Sequence, residues 1–176
     1  MKLRALPPLI YLKECFLYER ETGKLYWKYR PKAHFVNSAV AQMWNTRFAG
    51  REAFCTSSRG YRAGHLDNAY CAAHRVIWKL VTGDEPPDII DHVDRNKANN
   101  RWSNLRAATA PENCVNLERP VPPSGFSGVH KHKNKGKWVA QAGGKGARYI
   151  GIFDSPEEAS AARAKAMREI YGEFAE

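Results

Sequence analysis

Asp88-Ile89-Ile90-Asp91-His92-Val93-Asp94 is a short apolar run that ends in an imidazole flanked by carboxylates. The loop Asp84-Glu85-Pro86-Pro87 precedes it, and Ile89-Ile90 reads as a strand leading into Asp91 and His92. Asn99-Asn100-Arg101 and Ser103-Asn104-Leu105-Arg106 follow. Pro111-Glu112-Asn113 then opens a short helix through Asn116. Upstream, Tyr61–Leu66 and Ala69–Ala72 form a hairpin turned by Asp67-Asn68. It runs into a helix through His74-Arg75-Val76-Ile77-Trp78-Lys79-Leu80, closed by Thr82-Gly83.

An adjacent Asp-His with a distant Asn is a poor zinc set but suits a hard cation. Mg²⁺ accepts carboxylate and amide oxygens, keeps waters and binds a substrate phosphate in its remaining positions. Histidine adds a base that titrates near neutrality. Consecutive strand residues point to opposite sides, which suits in-line displacement at phosphorus, where attacking and leaving oxygens lie on opposite sides. Asp91-His92 alone would be an ordinary surface dipeptide, so the weight rests on its surroundings.

Towards the N-terminus, Pro7 to Tyr18 carries Leu9, Leu12 and Phe16 at helical spacing. Glu21-Thr22-Gly23 then turns into the strand-like Lys24-Leu25-Tyr26-Trp27-Lys28-Tyr29-Arg30. Residues 31–60 show no sustained period and are not placed.

Towards the C-terminus, Arg119-Pro120-Val121-Pro122-Pro123-Ser124-Gly125 is stiff, donor-poor chain and marks a boundary. Beyond it, strands are expected around Val129–Lys131, Lys137–Ala142 and Arg148–Phe153, with turns at 134–136 and 143–146. Ser155, Pro156 and Glu158 supply an N-cap, a first-turn proline and a capping-box partner. Ala159, Ala162, Ala166 and Ile170 continue on one face up to Gly172. Alternation along the middle strand sends Trp138, Ala140 and Ala142 to the helix side, and Lys137 and Gln141 outward with His130 and His132. From 125 to 150 the chain holds Lys131, Lys133, Lys135, Lys137, Lys145 and Arg148 without an acid, as a nucleic-acid-facing sheet would.

The whole chain is basic: 28 Lys and Arg against 18 Asp and Glu give +10 over 176 residues. A polyanion that releases counterions is the default partner of such a chain. No run of about 18 apolar residues exists, and Pro7-Pro8 breaks the N-terminal apolar stretch, so neither a spanning helix nor a secretory signal is expected. A cytoplasmic protein follows, with Cys15, Cys55, Cys71 and Cys114 as reduced thiols rather than disulfides or a zinc knuckle.

His74-Arg75-x-x-Trp78, Thr82-Gly83, Ile90-Asp91-His92-Val93-Asp94, Asn99-Asn100-Arg101, Asn104-Leu105-Arg106 and Asn113-x-x-Asn116 together resemble the HNH endonucleases of phage and intron homing type, in the variant whose last histidine is asparagine. The resemblance spans about 60–118, and upstream Thr22-Gly23-x-Leu25-x-Trp27 is also common in these proteins. Arg95 stands where the family usually has glycine, so the turn after the strand is where a difference is expected. The resemblance implies a ββα-metal (His-Me finger) core and DNA hydrolysis, by nicking or double-strand cleavage. His92 would be the general base, and Asp91 and Asn113 would hold one Mg²⁺ or Mn²⁺. Asn104 would pin the loop between strand and helix. Asn116, three residues along the same helical face, is an alternative to Asn113. Arg75, Arg101 and Arg106 are candidate phosphate contacts, and His74 is expected to be structural.

Ser127-Gly128-Val129, Lys137-Trp138-Val139-Ala140, Tyr149-Ile150-Gly151-Ile152-Phe153 and Ser155-Pro156-Glu157-Glu158-Ala159 resemble the ethylene-response-factor (apetala-type) DNA-binding domain. This implies a sheet docked in the DNA major groove, with His130, His132, Lys137, Gln141 and Tyr149 at contacting positions and Trp138 in the core. Arg148 joins them as a basic strand residue. Histidines stand where that family usually has arginines, and Gly143 where it has another.

The expected protein is thus α+β: an accessory region (1–59), an HNH nuclease module (60–119), a linker (120–125) and a three-stranded antiparallel sheet packed on one helix (126–176). Double-stranded DNA would be its partner, a monomer its favoured state, and a phage or mobile element in a host cell cytoplasm its origin. The rival is a catalytically inactive DNA-binding regulator. An RNA-binding protein is weaker, because single strands need exposed aromatics and Trp138 is assigned to the core.

Overall fold

The computed structural model describes residues 5–117, 120, 122–133, 136–143 and 147–175. The turns expected at 134–136 and 143–146, with Lys135 and Lys145, lie partly outside the described residues, as do positions 119 and 121 of the proline-rich stretch. The architecture is mixed α+β with small antiparallel sheets. The chain divides into two compact units, 1–107 and 108–176. This division falls ahead of the prolines at 120–123.

The first unit begins with α1 (Leu9–Cys15) and passes directly into β1 (Phe16–Glu19), which pairs antiparallel with β2 (Lys24–Trp27). The helix is therefore shorter than the spacing of Leu9, Leu12 and Phe16 implies. Phe16 is buried as a strand residue, facing Trp27 at 4.5 Å between ring centroids. The β1–β2 turn closes on the loop at 99–101. At Gly23 (φ +73°) a Cβ would stand 2.4 Å from the Arg101 backbone nitrogen, so only glycine fits. Tyr18 Oη donates to the Asn100 carbonyl at 2.8 Å from the same hairpin.

Residues 31–60, unplaced from sequence, hold a 3₁₀ turn (Lys32–His34), α2 (Ser38–Phe48), β3 (Glu52–Ala53) and β4 (Thr56–Ser58). Asn37 caps α2, its side chain accepting from the Val40 amide at 2.9 Å. β5 (Tyr61–Leu66) and β6 (Ala69–Ala72) form the hairpin read from the sequence. Asp67 and Asn68 both have positive φ, as a two-residue turn matching strand twist requires. α3 (Ala73–Thr82) follows and buries Val76 and Ile77 in one core with Leu12, Leu25, Leu66, Ile90 and Leu105. β7 (Ile90–His92) pairs antiparallel with β8 (Leu105–Ala107). Arg95, at the family's glycine position, takes φ +64° with its amide on the His92 carbonyl at 2.9 Å, so the turn keeps a glycine-type conformation with an arginine in it.

In the second unit, α4 (Ala110–Val115) is capped by Thr109 in a reciprocal box with Glu112. β9 (Val129–Lys131), β10 (Trp138–Ala142) and β11 (Arg148–Phe153) form an antiparallel sheet with β10 central. α5 (Pro156–Tyr171) covers one face through Ala159, which packs with Val129, Ala140, Trp138, Ile150 and Phe153. Ser155 caps α5, but Glu158 reaches past it to accept from the Asp154 amide at 3.3 Å. No disulfide joins the cysteines. Among the described residues no helix is long and apolar enough to cross a membrane.

Candidate active site

Antiparallel register sets the first relationship. Asp91 lies opposite Arg106 and His92 opposite Leu105, so neighbouring strand residues serve opposite faces. Arg106 Nε and Nη2 both donate to Asp91 Oδ2 at 2.9 Å, an ion pair in which the carboxylate is 6% exposed. Arg106, a candidate phosphate contact by the family resemblance, holds with its guanidinium the acid that precedes His92.

His92 is 4% exposed. Its Nε2 stands 3.2 Å from Asn100 Oδ1. An amide oxygen only accepts, so Nε2 carries the hydrogen and the proton-accepting nitrogen is Nδ1. The ring packs edge-on against His74 at 5.5 Å and tilts against Tyr61 at 5.8 Å. Burial is the largest influence on His92 and lowers its pKa, against the hydrogen bond to Asn100 and the charges of Asp94 and Asp91. His74 is buried, its Nδ1 has no hydrogen-bond partner among the described residues, and burial with His92 and Arg75 nearby pushes its pKa down to about 3. It is a neutral packing imidazole.

Asn104 ties the loop after β7 to its own strand. Its Nδ2 donates to Asp94 Oδ1 (2.9 Å) and the Asn99 carbonyl (2.8 Å), and its Oδ1 accepts from the Asp94 amide (2.9 Å). Asn99 Nδ2 also donates to Asp94 Oδ2 at 2.6 Å. The loop that carries Asn100 is thereby fixed from both ends, by Asn104 within and by Tyr18 and Gly23 from the β1–β2 hairpin. Asn100 is the functional residue to which the motifs alone give no role. Its only signal in the sequence is its place as the second asparagine of Asn99-Asn100-Arg101.

The other arginines have protein partners. Arg75 donates to the Pro87 and Pro86 carbonyls at 2.8 and 3.3 Å, clamping the loop before β7. Arg101 donates to the Glu21 carbonyl at 2.6 Å and to Asn99 Oδ1 at 3.3 Å. In the second unit, α4 carries half-buried Asn113, and Asn116 at its C-cap is 5% exposed. Among the described residues no three His, Cys, Asp or Glu side chains gather as a metal set.

On the sheet of the second unit, pairing places His130, Val139 and Ile152 in one row and Gln141 opposite Tyr149 in the next, on the face away from α5. His130, Arg148 and Tyr149 are exposed, while Gln141 and His132 are half-buried. Trp138 packs in the core, and exposed Lys137 pairs with Asp154.

Residues 71–115 match the profile of an HNH endonuclease family (HNH_3), a segment that runs from the end of β6 through α3, β7, β8 and α4. The chain is similar to an uncharacterized HNH endonuclease, L560, of Acanthamoeba polyphaga mimivirus, with 35% identity over 58% of this chain and 54% of that protein. It is similar to Protein 3.8 of Escherichia phage T7, with 30% identity over 58% of this chain and 86% of that protein. The chain thus spans about half the length of the first relative and most of the second. No solved structure matches it. Asp91 and His92 both lie inside the matched segment. Residues 71–115 thus form an HNH endonuclease domain, of a kind whose nucleases generally use divalent metal ions.

Proposed function

We propose that this protein is a site-directed DNA endonuclease with two working parts, an HNH nuclease of ββα-metal type within residues 60–119, and a DNA-reading sheet formed by β9–β11. The observation that carries the proposal is the His92–Asn100 pair inside the segment matching HNH endonucleases. It fixes an imidazole with its basic nitrogen defined, as a general base requires.

His92 Nδ1 takes the proton of a water as the water oxygen bonds to phosphorus and the bond to the 3′ oxygen breaks. Asn100 holds the ring in that tautomer, and Arg106 holds the Asp91 carboxylate. By their chemistry a carboxylate and an amide oxygen suit a hard cation, and Asp91 with Asn113, or Asn116 in its place, would be the residues to hold Mg²⁺ or Mn²⁺. When bound, such an ion supplies charge neutralisation at the leaving oxygen.

His130, Gln141 and Tyr149 share one face of the reader sheet, with His132, Lys137 and Arg148 at its margins. We assign them base-edge and phosphate contacts in double-stranded DNA, in the manner of the ethylene-response-factor domain.

Supercoiled plasmid with Mg²⁺ tests the nuclease. Nicked circles or linear product, abolished by chelator, are expected. Plasmid that is bound and uncut would support the inactive regulator instead. Lys137→Ala with Gln141→Ala should weaken duplex binding, and unchanged affinity would remove the reader assignment.

A further inference from the structure

Lys97 is one aromatic ring away from His92. Its Nζ lies 5.1 Å from the centroid of the Tyr61 ring, and the same ring tilts against His92 at 5.8 Å between centroids. The ammonium charge is felt at the imidazole, where it opposes protonation. Two features hold the lysine there. Its stem passes the β4–β5 turn, where a Cβ on Gly60 would lie 3.4 Å from Lys97 Cδ. The loop that carries it is tied by Asp94 Oδ1, which accepts from the Asn96 amide at 2.8 Å, and by Asn96 Oδ1, which accepts from the Ala98 amide at 3.1 Å.

The three arginines that the family resemblance offers as phosphate contacts in this unit already hold protein acceptors. Arg75 is on the Pro86 and Pro87 carbonyls, Arg101 on the Glu21 carbonyl and Arg106 on Asp91. Lys97 is exposed, and among the described residues its ammonium meets no hydrogen-bond acceptor. The tyrosine ring attracts its charge but takes up none of its three N–H donors in the way an oxygen would. Asp91 and Asp94 act electrostatically on the same imidazole, so a phosphate that approaches it needs a cation to meet. Attack by water adds negative charge to the non-bridging oxygens of that phosphate, and a fixed cation with spare donors counts most at that moment.

We propose that Lys97, seated on Tyr61, binds a non-bridging oxygen of the DNA phosphate attacked at His92. The assignment rests on the endonuclease reading for its substrate and adds to it a residue in contact with the reacting group. Tyr61 is the positioning residue, packed between the cation and the base.

The test compares the full chain with Lys97→Gln and Lys97→Arg, whose melting temperatures report that they fold. Duplex binding is measured in chelator over a range of salt, so that no cleavage intervenes. Cleavage of supercoiled plasmid is measured in Mg²⁺ with protein in saturating excess, so that the rate is independent of affinity. Lys97→Gln should lower the slope of log affinity against log salt by about one, the signature of one lost phosphate contact. It should also slow cleavage at saturation by about 100-fold, the scale of a donor lost from a developing anion. Lys97→Arg keeps the charge and should restore the slope. An unaltered slope in Lys97→Gln overturns the assignment. A lower slope with an unaltered rate at saturation overturns it as well, because it puts the lysine on a neighbouring phosphate. Either result beside normal cutting by the wild type leaves the endonuclease reading intact. A wild type that binds and never cuts defeats that reading itself, and the scissile contact with it.

Discussion

His92 Nε2 and Asn100 Oδ1 stand 3.2 Å apart, both side chains almost fully buried. The consequence is a fixed tautomer: the ring can accept a proton only at Nδ1. Asn100→Ala removes this restraint and a buried hydrogen bond. We expect plasmid cleavage to fall by about 10- to 100-fold, on the scale of a lost outer hydrogen bond to an active-site histidine, and stability to drop by about 1–3 kcal/mol. Cleavage rate and urea unfolding check the two effects. Undiminished cleavage would show that Asn100 does not orient the base.

Arg106→Ala separates two roles for one arginine. As the ion-pair partner of Asp91, its loss should destabilise the first unit by about 3 kcal/mol. As a phosphate contact, its loss would lower DNA affinity and reduce the salt dependence of binding while leaving the urea midpoint alone. We expect the midpoint to move.

Structure is legible in this sequence where the signal is local. The Asp67-Asn68 turn, α3 up to Gly83, the strands 129–131 and 148–153 and the Ser155 cap all rest on residues next to one another. It is illegible where partners are distant. α2 buries only Ala41 and Asn45, and its Trp44 finds order against Trp27 and Phe35 rather than along a helical stripe. Residues 16–19 carry helical spacing but are claimed by pairing with 24–27. At the site, Asp91 and His92 are legible as chemistry. Arg106 is legible only as a charge, because its pairing depends on β7–β8 register.

His74 gives stability a pH dependence with a definite sign. Burial holds its pKa at about 3, below the ordinary value of 6.5, so the folded chain refuses a proton that the unfolded chain accepts. Its contribution is complete above about pH 6.5 and is lost progressively as pH falls towards about 3. Between about pH 6.5 and 5, the wild type should lose about 2 kcal/mol more than His74→Phe. Parallel pH profiles from urea unfolding would contradict a neutral buried imidazole.

Arg95 occupies φ +64° in the turn after β7. Left-handed backbone costs an L-residue about 1–2 kcal/mol, partly offset by the entropy glycine loses on folding. Arg95→Gly should therefore raise stability by about 0.5–1 kcal/mol without loss of cleavage. A lower melting temperature would show that the arginine side chain contributes more than its backbone costs.

Removal of the proton from the attacking water by the His92 imidazole is tested most directly by His92→Ala. Wild type and variant are compared on one supercoiled plasmid in Mg²⁺, with duplex binding measured on the same preparations. The variant is expected to bind DNA as the wild type does and to leave it uncut. Cutting at the wild-type rate would contradict His92 as the base.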